Sequence, residues 1–209
     1  MALSPLPIKD GSAEAIYTSH TVEHVSEEAV LNLFKEAYRS LKKGGVFRVT
    51  TGPDAQADYA ALMRGDDAWF YWDAAYVKPG SYGKNFHNPA TSVPLEERWL
   101  HHVCSQLAPN DISPSDKKYN AEEIKNILKS HTMEDALDFF SSQCSFNPER
   151  PGNHITWWTH KKIIDFLKKS GFTNASLSGH GQSSSAVMRD IDLFDSTHPA
   201  MSLYVEAIK

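Results

Sequence analysis

Cysteine is scarce in this chain, and so are glycine and any long apolar run. Two cysteines in 209 residues, Cys104 and Cys144, exclude a disulfide scaffold and fit reduced thiols in a cytoplasmic protein. No stretch of 18 apolar residues is present, so no membrane span is expected. The first residues combine neither a basic start nor an apolar stretch of signal length, and no secretion is expected from them. Positive charge is not in excess: 21 Lys and Arg stand against 26 Asp and Glu, giving -5, whereas a polyanion binder needs a clustered basic surplus. No nucleic-acid partner follows from this composition. Also absent is a glycine-rich strand-to-helix turn ahead of residue 14, the element that cradles a nucleotide-like cofactor.

What is present is the material of one globular domain, 41% hydrophobic and 11% aromatic. Ile16 and Tyr17 lie in a short run of strand formers over 14–19. Ser26 followed by Glu27 and Glu28 is a helix start, with acids where the helix dipole favours them. Val30, Leu33, Phe34, Ala37, Tyr38 and Leu41 then repeat at helical spacing. Lys42 and Lys43 suit the negative end of that helix, and Gly44-Gly45 is read as its stop. A strand over 46–50 completes a βαβ crossover, which requires parallel strands.

Beyond a helix at 55–63 the pattern changes. An aromatic run from Ala68 to Tyr76, a loop at 78–94 rich in Gly, Pro and Asn, and helices at 95–107, 120–129 and 132–144 form a helical insertion over about 64–155. Asn120 with Glu123 spells a capping box. The alternating pattern then resumes, with a helix at 159–170 stopped by Gly171, a strand at 172–178 and a polar loop at 179–199. A last strand at 201–208 places Met201, Leu203, Val205 and Ala207 on one face.

Four segments together resemble the class I SAM-dependent methyltransferases, particularly small ones associated with polysaccharide assembly. Pro7, Asp10, Ser12, Ile16, Tyr17, Ser19, His20, Glu23 and His24 match the fourth strand of that family and its exit. Arg39, Leu41, Gly44, Gly45, Arg48, Pro53 and Asp54 match its fifth strand. Ile164 to Phe172 and Ser202 to Lys209 match its closing segments. The chain departs from the family in lacking a counterpart to the glycine turn and to the acid that holds the cofactor ribose. Glu14 also stands where the family has Asp, and Lys43 where Pro is common.

The resemblance implies an α/β fold: a partial Rossmann-like sheet in the order 14–19, 46–50, 201–208, 172–178, with the C-terminal strand antiparallel. It implies S-adenosyl-L-methionine as cofactor and a small-molecule or saccharide acceptor. Ser19, His20 and Glu23 would face the cofactor, and His24 would act as base for a hydroxyl acceptor. Two readings follow from the missing cofactor half: a methyltransferase acting on that acceptor, truncated and inactive as this chain, and alternatively a catalytically silent methyltransferase-like interaction module. The exposed edge of the 14–19 strand leads to the expectation of a homodimer.

Other readings of the same residues stand beside this one. His20-x-x-Glu23-His24 also spells a zinc-hydrolase pattern, which needs a helix to bring the histidines together; no metal is assigned to it. Trp69 to Trp72 reads as a stacking platform or as insertion core. His101, His102 and His154 read as pocket lining or as packed, hydrogen-bonded histidines.

Overall fold

The computed structural model describes residues 4–71, 93–109 and 117–209. The proposed loop at 78–94 and Trp72 lie for the most part outside them. The described chain forms two compact units, Met1–Asp54 with Trp158–Lys209, and Ala55–Trp157.

The first unit holds a four-stranded sheet: β1 (Ala13–Ser19), β2 (Leu41–Thr51), β3 (Asn174–Leu177) and β4 (Leu203–Ile208), in the order β1-β2-β4-β3. β1 and β2 are parallel, whereas β4 is antiparallel to both β2 and β3. This is the order and direction expected from the sequence. Helix α1 (Glu27–Ser40) supplies the crossover, and the Ser26 side chain caps it by accepting the Ala29 N–H. Helix α6 (His160–Lys169) precedes β3 and is capped by Thr159.

The helix stop differs from the sequence reading. Leu41 is already extended, and Lys42 to Gly45 lie inside β2 rather than at the end of α1. Gly44, at φ +80°, lets the strand bend where its register against β1 shifts between Ala13 and Ala15. The Gly44 N–H donates to Lys209 O and the Lys209 N–H to Gly45 O, so β4 fixes that bend. At Gly171 the prediction stands: its φ of +109° turns the chain out of α6.

Side chains from alternate strand positions divide this unit into two layers. Phe47, Val49, Leu203, Val205 and Ala207 join Phe34 of α1 and Ile163, Phe166 and Leu167 of α6 in one apolar cluster. At about 25 cal/mol per Å² of apolar surface, this burial is the main force holding both helices to the sheet. The opposite face is polar and nonetheless covered. Register aligns Tyr17, Arg48 and Glu206 across three strands, and the segment after β3 closes over them. Arg48 donates to Asp195 Oδ1 (3.0 Å), Ser178 Oγ (2.9 Å) and Gly179 O (2.7 Å). Glu206 accepts from Ser183 Oγ (2.7 Å) and the Ser184 N–H. Burial, reinforced by the charge of Asp195, pushes the Tyr204 phenol up to about 12. β4 is therefore buried on both faces, where its alternation alone predicts one.

The second unit contains α2 (Ala55–Arg64), α3 (Leu95–Val103), α4 (Ala121–Ser130) and α5 (Met133–Ser141). Trp99, Leu100, Ile124, Leu137 and Phe140 are central in its core. The capping box at Asn120 and Glu123 is formed in full. Within this unit a buried Asp58 accepts from Trp69 Nε1 (2.6 Å) and lies 2.9 Å from His102 Nδ1. No helix among the described residues is long and apolar enough to cross a membrane.

Candidate functional site

The site is built where the two parallel strands end side by side, the edge at which open α/β sheets bind ligands. The His20 N–H donates to Thr50 O (3.0 Å) as the last rung of the ladder, and the chain then leaves β1 with His20 at φ +44°. A non-glycine residue in the left-handed region is uncommon and concentrates at functional or tightly determined positions.

A single 3₁₀ turn, Val22–His24, follows and carries Glu23 beneath the strand ends. The Glu23 side chain is 2% exposed. Its Oε2 accepts from Thr51 Oγ1 (2.7 Å), and its Oε1 lies 3.2 Å from His20 Nδ1 and 3.8 Å from His24 Nε2. The other side of the His20 ring faces the segment before β4: Nε2 is 2.9 Å from Ser202 Oγ and 3.1 Å from Thr197 O. Gly52 abuts the ring, since a Cβ there would stand 2.9 Å from His20 Cε1. Ser19 turns to the strand, receiving a bond from Thr50 Oγ1 (3.3 Å).

The fold thus gathers His20, Glu23 and His24 and sets Ser19 beside them. The zinc-hydrolase reading is corrected by this geometry. His20 ends a strand and only Val22–His24 is helical, as one 3₁₀ turn, so the α-helical spacing that motif requires is not formed. Thr51, Gly52, Thr197 and Ser202 belong to the same constellation, and although Ser202 opens the closing motif, no sequence motif placed any of the four at the site. Their signal is the antiparallel pairing of Thr51 with Leu203, which brings residue 202 opposite residue 52.

S-adenosyl-L-methionine needs an acid for its ribose hydroxyls. The carboxylates at the ends of β1 and β2 are Glu23 and Asp54. Glu23 is held through Oε2 by Thr51, with Oε1 at ion-pair distance from His20 Nδ1, and Asp54 lies 3.5 Å from His160 Nδ1. Burial holds the His160 imidazole below the ordinary histidine range, with Asp54 acting the other way. Both acids are committed within the fold, so the residues described here do not fit the cofactor as a complete binding set.

Comparison with known proteins gives the following. Residues 1–49 match the family described as a methyltransferase domain. No curated protein matches the chain. Among solved structures, a SAM-dependent methyltransferase from Archaeoglobus fulgidus is 9% identical with a TM-score of 0.37, the match covering 97% of this chain and 62% of that one. An S-adenosylmethionine-dependent methyltransferase from Mesorhizobium loti is 15% identical with a TM-score of 0.40, covering 99% and 66%. A possible exported protein from Bordetella parapertussis is 11% identical with a TM-score of 0.36, covering 97% and 40%. The chain therefore spans less than two thirds of the length of each. Residues 1–49, which hold β1, α1 and most of β2, are thus the part of the chain that is similar to the methyltransferase domain family.

Proposed function

We propose that this chain provides the acceptor side of a SAM-dependent methyl transfer to a small or saccharide-like molecule. The observation that carries the reading is a coincidence of two boundaries. The segment matching the methyltransferase domain is the parallel β1-α1-β2 unit, and its carboxyl edge bears Ser19, His20, Glu23 and His24. Methyl transfer is an in-line displacement that depends mainly on positioning. His24, partly exposed beside the Glu23 carboxylate, would take the proton of a hydroxyl acceptor.

Commitment of Glu23 and Asp54 within the fold supports a second reading, a methyltransferase-like module that is catalytically silent as this chain. Calorimetry distinguishes the two. Saccharide binding without heat from millimolar SAM or its demethylated product is the result expected of the acceptor side. Silence toward every ligand leaves the silent module. Micromolar SAM binding overturns the inference drawn from the committed carboxylates. The free thiols Cys104 and Cys144 support a reducing, cytoplasmic setting. The outer edge of β1 supports a homodimer, which light scattering reads directly.

A further inference from the structure

We propose that Ser202, His20 and Glu23 form a nucleophile–base–acid triad able to cleave small, activated O-acyl esters. The inference is independent of the methyl-transfer reading and rests on geometry within the sheet unit. Ser202 Oγ is 2.9 Å from His20 Nε2, and His20 Nδ1 is 3.2 Å from Glu23 Oε1. A hydroxyl within hydrogen-bond reach of an imidazole, whose far nitrogen stands at ion-pair distance from a buried carboxylate, has the components that activate a serine, and a small turn of the ring would align that nitrogen with the carboxylate.

Three further features favour this role over simple packing. Glu23 is buried, and the Thr51 hydroxyl fixes its second oxygen, so the carboxylate cannot rotate away from the ring. His20 is held in place from behind by Gly52, at a backbone conformation that side chains rarely adopt. Ser202 and His20 are partly exposed while the acid beneath them is sealed, so the reacting end of the array faces solvent.

The single Ser202 proton has three acceptors in reach, Thr197 O (3.2 Å) among them. Oγ is 2.8 Å from His198 O and 2.9 Å from His20 Nε2. Turned toward His198 the hydroxyl rests, and turned toward Nε2 it is activated. Thr197 O, 3.1 Å from Nε2, accepts the N–H of the imidazolium that forms when the ring takes the proton. In the reaction Ser202 Oγ bonds to the ester carbonyl carbon, and its proton passes to Nε2. The bond to the leaving alcohol breaks, and that alcohol oxygen receives the proton. Water then attacks the acyl-serine. Its proton travels through Nε2 back to Ser202 Oγ, releasing the carboxylic acid. The described hydrogen bonds place no pair of backbone N–H groups at the position of the oxyanion, which limits the chemistry to activated esters.

A fluorophosphonate ester is the direct probe, with the adduct located by peptide mass mapping. Ser202 is expected to be labelled, and to react much faster in native protein than in the same chain unfolded in urea. His20→Asn should slow labelling about a hundredfold. Glu23→Gln should slow it as well, with Glu23→Asp restoring part of the rate, a recovery that a purely structural acid would not produce. Labelling no faster than in the unfolded chain, or unchanged by His20→Asn in a folded variant, overturns the triad. The comparison of native with unfolded wild type decides the matter even where a variant does not fold. Calorimetric silence toward SAM leaves this outcome untouched, so the two proposals fail separately.

Discussion

Asp195→Asn tests the covered polar face of the sheet. The Arg48 side chain is 0% exposed, and Asp195 supplies its only carboxylate at direct hydrogen-bond range among the described residues. Leaving one member of a buried pair without its partner costs about 3–5 kcal/mol, because the remaining charge is neither solvated nor neutralised. Two features place this variant at the low end. Asparagine retains an acceptor oxygen for Arg48 Nε, and Glu206 Oε2 remains 3.8 Å from the guanidinium. Acting against them, the Gly181 N–H loses its acceptor at Asp195 Oδ2 (2.9 Å), where the new amide presents N–H to N–H. We expect a loss of about 3 kcal/mol, a rise of about a hundredfold in the open population of this unit. Hydrogen exchange of peptides from β2 and from 178–197 measures that population without assuming that the whole chain unfolds in one step. Replacing both partners removes the stranded charge, so Arg48→Met with Asp195→Asn should be more stable than Asp195→Asn alone. A single-variant loss below about 1 kcal/mol, the scale of an exposed pair, refutes the reasoning. A double variant that is worse than the single one refutes it too.

Two further outcomes can be stated. Gly52→Ala pushes a methyl group into the His20 ring, which Glu23 and Ser202 keep from moving aside. Such overpacking costs about 1–3 kcal/mol, read as a lowered melting temperature, and a neutral substitution would mean the ring is not held. In the helical unit, burial first, then His102, His154 and Lys118, brings His101 down to about 3. The unfolded chain takes up this proton near pH 6.5 and the folded one does not, so the contribution is complete above about pH 6.5 and is lost as pH falls toward 3. Urea midpoints across that range should fall at up to about 1.4 kcal/mol per pH unit, and His101→Leu should flatten the slope. An unchanged slope would show that another group carries the acid sensitivity.

Local chemistry determined much of this protein from sequence alone. Ser26, Asn120, Thr132 and Thr159 mark helix starts because their side chains satisfy backbone donors within three residues. The βαβ unit was legible because an apolar helical stripe between two strand-forming runs admits only a parallel crossover. The end of α1 was not. Gly44-Gly45 satisfies a helix stop as well as a strand bend, and only pairing with β4 selects the bend. The motif residues His20, Glu23 and His24 were visible as letters, yet the same letters suit a metal-binding helix. Their meaning depends on a backbone turn at His20, on Thr51 of β2 and on Ser202 just ahead of β4. Tertiary structure alone brought Asp195, 147 positions from Arg48, to a guanidinium lodged in the middle of a sheet. Interactions that close within a turn are written in neighbouring residues. Those joining distant segments exist only once the strands have paired, and it is these that assembled both the site and the buried charge network.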